Sequence, residues 1–176
     1  MSLANTWGTR PEERVGPWPC DEIAGPAAAA LWRGVDVQAP AAVTWRWLCQ
    51  LRAAPYSYDW IDNFGRRSPR TLTPGLDRLA VGQPVMRIFR VASFVPERHL
   101  TLTLAPGRGE LFGHVAVTYR VVARGERSSR LLAKLRYEPP PGLWGRVLAR
   151  LLPWGDLVMM RKQLHTLARL AERDAA

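Results

Sequence analysis

Between Pro55 and Gly65 the chain gathers Tyr56, Ser57, Tyr58, Asp59, Trp60 and Asp62 into one short run. Tyrosine hydroxyls there could orient a ligand at a cavity mouth, with Asp59 accepting a hydrogen bond. The same residues would serve equally as aromatic wedges closing a sheet, with Asp59 held by nearby backbone or an arginine. Asp59 and Asp62, three apart, have the spacing of paired carboxylates for acid-base work, or of a helix-surface pair answering Arg66 and Arg67. His99, His114 and His165 form no HxH or HExxH pattern, so no metal ligand set is implied. His114 sits in an alternating run and is a conceivable general base, or a solvent-facing strand residue. Arg87, Arg90, Arg120 and Arg136 also fall in strand-like runs, where half the positions face inward. An arginine buried there would pair a ligand carboxylate, because an unpaired buried charge is costly. Arg87 is the choice among them, since it shares its parity with Val85, Phe89 and Val91.

Other chemistries lack their signatures. GxSxG, GxGxxG and GxxxxGK[ST] are all absent, which removes the sequence signal for a nucleophile elbow, a dinucleotide fold and a P-loop. Cys20 and Cys49 have no CxxC spacing, so zinc is not implied, and their pairing stays open. The net charge of +10 is carried almost wholly by arginine, Lys134 and Lys162 being the only lysines. Those arginines are scattered, and no basic tract marks a specific nucleic-acid partner. No cofactor is implied. With no basic-led apolar leader and no run of about 20 apolar residues, the expectation is a soluble cytoplasmic protein.

The elements that must position these residues can be read from period and punctuation. The 176 residues fit one domain with a sizeable core. Residues 1–28 carry Pro11, Pro17, Pro19 and Pro26 and read as an irregular arm that Trp7, Val15 and Trp18 could pin to a domain of residues 29–176. Leu31 to Val37 reads as a strand, Pro40 to Arg52 as a short helix, and Tyr56 to Phe64 as a second one, N-capped by Ser57 and stopped by Gly65. Val85 to Phe94 reads as one strand covered on both faces. Leu100, Leu102 and Leu104 alternate with Thr101 and Thr103, as in a strand with one wet face. Pro106 to Gly109 suits a hairpin turn, and two further strands follow around Val115 to Val121 and Leu131 to Tyr137. A helix over Leu143 to Leu152 is expected to break at Pro153 and Gly155. Asp156 would then cap a final helix whose Leu157, Met160, Leu164, Leu167, Ala168 and Ala171 share a face.

This order is an α+β arrangement, one long helix laid across a curved antiparallel sheet. Specific residues strengthen it: Ala39-Pro40, Trp45-Arg46-Trp47-Leu48-Cys49-Gln50, Tyr56-Ser57-Tyr58-Asp59 and Leu157-Val158-Met159-Met160-Arg161. In that order and spacing the chain resembles bacterial START-like proteins of the polyketide cyclase and lipid-transport (SRPBCC) superfamily. The resemblance implies a helix-grip fold, with the sheet wrapped around the C-terminal helix, two short helices after the first strand, and an apolar cavity between sheet and helix. It implies no reaction and no catalytic residue.

The function expected first is therefore binding or transport of a hydrophobic small molecule, lipid-like or polyketide-like. Its cavity would be lined by Trp47, Tyr58, Arg87, Phe89, Tyr119, Leu135, Met160 and Leu164. A cyclase or aromatase using Tyr, His or Arg to assist enolisation is the alternative, and a structural or partner-binding protein with a filled core is a third. Leu143 to Trp154, with a broad apolar face, two Trp and the basic Arg146 and Arg150, reads either as a lid or as an interfacial helix touching a membrane surface.

Overall fold

The computed structural model describes residues 2–62, 65–107 and 113–176, with Asp62 described in its backbone alone. Runs of alternating apolar residues become six strands: β1 (Ala29–Val37), β2 (Pro84–Val85), β3 (Phe89–Val95), β4 (His99–Leu104), β5 (His114–Ala123) and β6 (Ser129–Glu138). They pair antiparallel in the order β1-β6-β5-β4-β3-β2. A bulge between Val91 and Ser93 interrupts the β3–β4 register, the device by which a sheet bends locally. Among the described residues the α-helices are α1 (Leu3–Thr6), α2 (Pro19–Ile23), α3 (Ala41–Cys49), α4 (Asp59–Asp62) and α5 (Gly142–Ala175). The arrangement is the helix grip: a curved antiparallel sheet holding the long α5, with α3 and α4 following β1.

The core lies between the inner sheet face and α5. Side chains alternate across a strand, so Val35 and Val37, Leu100 and Leu102, Val117, Tyr119 and Val121, and Leu131 and Ala133 all enter the same buried cluster. From the helix side come Met160, Leu164, Leu167, Ala168 and Ala171, at the spacing of one helical face. Each large aliphatic residue buried this way contributes about 1.5–3 kcal/mol.

Four expectations need correction. First, α5 does not break at Pro153 but runs through it from Gly142 to Ala175. Pro153 offers no N–H to the carbonyl of Ala149 four residues back. The Tyr137 hydroxyl donates to that carbonyl instead, at 3.4 Å, and the Pro153 carbonyl accepts from Arg33 Nη2 at 3.2 Å. Tertiary partners thus replace the missing helical bond, and Asp156 is not a cap but lies inside the helix. Second, Val85 to Phe94 is a hairpin rather than one strand: Val85 pairs with Phe89 across Met86, Arg87 and Ile88. Met86 (φ 46°) and Arg87 (φ 63°) take the left-handed backbone that such a tight connection requires. Third, Thr101 is fully buried rather than wet. Fourth, the second short helix is confined to Asp59–Asp62, and Tyr56 lies outside it at φ 57°. Asn63 and Phe64, and Arg108 and Gly109 of the expected hairpin turn, lie outside the described residues.

Thr101 is buried because residues 2–28 cover the outer sheet face. The segment includes α1, a 3₁₀ turn at Pro11–Arg14, and α2. Trp18 and Cys20 pack with Trp32, Ala116 and Leu132 in a second cluster on that face. The Cys20 N–H donates to Thr118 Oγ1 at 3.0 Å, and Thr118 and Thr101 share a hydroxyl bond of 2.9 Å. Outward arginines that looked scattered in sequence hold this layer down. Arg130 grips Glu13 through Nε (2.8 Å) and Nη2 (2.7 Å), Arg136 and Lys134 each lie 2.6 Å from Asp21 Oδ1, and Arg120 stacks 4.0 Å over Trp18. Trp7 packs against the inner core, whereas Val15 is exposed. Cys20 and Cys49 are both free and buried.

Candidate functional site

At one end of the grip the inner face does not close, and a cavity of about 430 Å³ remains. Its floor comes from Val117 and Tyr119 on β5 and Leu135 on β6. Met159, Met160 and Gln163 on α5 form one wall, and Pro55, Ser57 and Ile61, around α4, form the opposite one. The Met86–Phe89 hairpin supplies the rim. Apolar side chains dominate this surface, and its three methionines can change rotamer to fit guests of different outline.

The polar groups in this wall are arranged with little spare capacity. The Tyr119 hydroxyl donates to Gln163 Oε1 at 2.7 Å, and Gln163 Nε2 donates to the Pro55 carbonyl at 2.7 Å and meets Met86 Sδ at 3.5 Å. One glutamine therefore ties together β5, α5, the turn before α4 and the β2–β3 hairpin. Burial drives the Tyr119 pKa far above the usual phenol value, so its hydroxyl stays protonated and keeps a proton to donate.

Asp156 is the exception. It reaches the cavity wall and sits 2.7 Å from Nη2 of Arg33, whose side chain is 1% exposed. The contact is close but poorly aligned: Asp156 Oδ2 and Arg33 Nε have no hydrogen-bond partner. Burial pushes the Asp156 carboxyl up to about 6, against the opposing pull of Arg33. Sequence reasoning missed this pair. Arg33 shares its strand parity with Leu31, Val35 and Val37, and Asp156 lies one turn before Met160 on the buried stripe, so both signals were present.

Of the residues named from sequence, Arg87, Phe89, Tyr119, Leu135 and Met160 are brought to this cavity. Three are placed elsewhere. Trp47 and Leu164 are fully buried in the core, and the Trp47 indole donates to Asp174 at 3.0 Å. Tyr58 faces an outer groove beside Arg161 and His165. Arg87 enters through a turn rather than through strand parity, at the exposed rim. The buried arginine of the grip is Arg33. Asp59 accepts from the backbone N–H and hydroxyl of Ser68, pinning a loop, while the side chain of its expected partner Asp62 lies outside the described residues. His114 is exposed on the outer face beside Ala116 and Ala24. His165 is exposed on α5, edge-on to Trp7 at 5.5 Å. Arg120 and Arg136 serve the outer layer, and Arg90 is exposed. Among the described residues no three His, Cys, Asp or Glu side chains gather as a metal site, and no helix is long and apolar enough to cross a membrane.

No protein-family model matches the sequence, and no curated protein matches it. Solved structures do. The Zhui aromatase/cyclase from a Streptomyces species is 14% identical, with 85% of this chain and 96% of that one covered at a TM-score of 0.57. A Thermobifida fusca protein solved by NMR is 19% identical, with 80% and 94% covered at 0.51. Likeness at this level of identity speaks to architecture, and the architecture of this chain is the helix grip.

Proposed function

We propose that this chain binds or carries a hydrophobic small molecule, lipid-like or polyketide-like, in the cavity between β5, β6 and α5. Residues 29–176 form the binding domain and residues 1–28 its outer cover. One observation carries the reading: beside an otherwise dense core, about 430 Å³ is left open and walled mainly by apolar side chains. Filling it with a matching apolar guest gains about 25 cal/mol per Å² removed from water. Arg87, Phe89, Tyr119, Leu135 and Met160, which line the cavity, are the contacts of this proposal. The aromatase/cyclase likeness supports a polyketide-like guest. Of the catalytic candidates named from sequence, His114 is exposed on the outer face and Asp59 is bonded to Ser68, while Arg87 lines the cavity. Two free thiols suit a reducing compartment such as the cytoplasm.

A second observation extends the proposal to loading. Leu143, Val147, Leu151, Trp154 and Val158 form an exposed stripe on the first half of α5, and the same helix continues into the cavity wall. We assign this stripe to an anionic lipid surface, with Arg146 and Arg150 beside it.

The test uses the neutral apolar dye N-phenyl-1-naphthylamine. It should brighten on adding the protein and raise the melting temperature by several degrees, since ligand at a hundred times its Kd adds about 2.7 kcal/mol. Leu135→Trp, which fills the cavity, should abolish both effects. A dye that leaves both signals unchanged, or that responds equally to Leu135→Trp, overturns the proposal.

A further inference from the structure

Among the described residues that line the cavity, Asp156 is the carboxylate, set in a wall that is mostly apolar. The Tyr119 O–H and the Gln163 amide N–H are already engaged, with Gln163 Oε1, Met160 Sδ, the Pro55 carbonyl and Met86 Sδ. Asp156 has a carboxylate with room for several hydrogen bonds. Its contact with Arg33 Nη2, at 2.7 Å, is off-axis and leaves Oδ2 without a hydrogen bond. Arg33 cannot turn to improve the match. Its Nη1 donates to the Trp32 carbonyl at 2.8 Å and its Nη2 to the Pro153 carbonyl at 3.2 Å, which fixes the guanidinium between β1 and the proline of α5.

From this geometry we infer that the guest is an apolar molecule carrying a hydroxyl or amino group, which donates a hydrogen bond to Asp156 in the cavity wall. The inference rests on the cavity reading above and narrows it. A carboxylate guest is disfavoured, because it would bring a second anion beside Asp156 in a poorly solvated site and has no proton to give. The cation at the rim, Arg87, stands on the exposed side, where water screens it.

Three probes of equal length separate the cases by calorimetric titration of the whole chain: 1-decanol, which donates; 1-methoxynonane, which is neutral and only accepts; and decanoate, which is anionic. The expected order puts decanol about tenfold or more tighter than either of the others, the gain typical of a hydrogen bond to a charged acceptor. In the double variant Arg33→Met/Asp156→Leu, which replaces the ion pair with apolar side chains of similar bulk, decanol and methoxynonane should bind within about twofold of each other. Equal binding of all three probes by the unaltered protein, or a preference for decanoate, overturns the donor assignment and leaves the cavity reading standing. Failure of all three to bind overturns both. Because the ranking is read first on the unaltered protein, the conclusion does not depend on the double variant folding.

Discussion

Tyr119 and Gln163 show how a single side-chain bond can set the shape of a site. The hydroxyl donates to Gln163 Oε1 and lies 3.7 Å from Met160 Sδ, and the other end of Gln163 fixes the Pro55 turn and meets the Met86 thioether. Tyr119→Phe leaves Gln163 Oε1 buried without a donor and should cost about 1–3 kcal/mol. Gln163→Leu strands the Pro55 carbonyl as well. Because the residues act as one network, the double variant should cost less than the sum of the singles by at least about 0.5 kcal/mol in denaturant unfolding. Strict additivity would show that the bond is not shared in this way. Sequence alone exposed part of the site. Tyr119 was legible from the alternation of β5, and Met160 from the helical stripe. Arg33 and Asp156 carried the right parity and phase, but each had a competing local explanation. Asp156, just after Pro153 and Gly155, has the chemistry of a helix cap. The Met86–Arg87 turn was not legible at all, since it lacks the Gly, Asn or Asp that ordinarily marks left-handed backbone.

At the scale of elements, β1, β4, β5, β6 and the second half of α5 followed from period, whereas the β2–β3 hairpin, the continuity of α5 through Pro153 and the role of residues 2–28 did not. A proline-rich stretch has no period to read, and its attachment depends on partners more than a hundred positions away, such as Arg130 for Glu13 and Arg136 for Asp21. Its closest approach to the sheet needs two glycines. Gly8 has φ +73°, and a Cβ there would stand 2.1 Å from the Gly34 carbonyl oxygen on β1. The gap is used: the Gly34 N–H donates to the Trp7 carbonyl at 3.2 Å, and Arg130 Nη2 donates to the Gly8 carbonyl at 2.8 Å. Gly8→Ala should therefore lower stability by at least about 1–2 kcal/mol, the left-handed penalty alone. Amide exchange should accelerate across residues 7–24 and at Gly34, while the Leu164 to Ala171 turns of α5 keep their protection. Unchanged exchange in the N-terminal segment would show that this contact does not hold the cover in place.

Taken whole, the molecule divides α5 between two environments. From Leu157 onward the apolar stripe is clasped by the sheet, but the earlier stripe of Leu143, Val147, Leu151, Trp154 and Val158 stands in water, with Leu143 70% and Leu151 64% exposed. Packing against its own sheet, which would have sufficed to explain the sequence pattern, is not what the fold does with these residues. A net charge of +10 and the exposed Arg146 and Arg150 match an anionic bilayer, for which each basic residue near the surface adds about 1 kcal/mol of attraction. Tryptophans such as Trp144 and Trp154 suit the headgroup level, where one edge is wet and the other apolar. The docked helix would bring the cavity wall at Met159 close to the lipid from which an apolar guest could enter. Co-sedimentation with vesicles containing about a third phosphatidylglycerol should therefore capture the protein, and capture should fall in 0.5 M salt, where charges more than several ångströms apart are screened. Leu143→Glu/Leu151→Glu should lose binding to these vesicles while retaining the melting temperature and dye response of the unaltered chain. Vesicle binding that survives this double change would place the contact elsewhere on the basic surface, and no binding at low salt would remove the lipid surface as the occupant of this stripe.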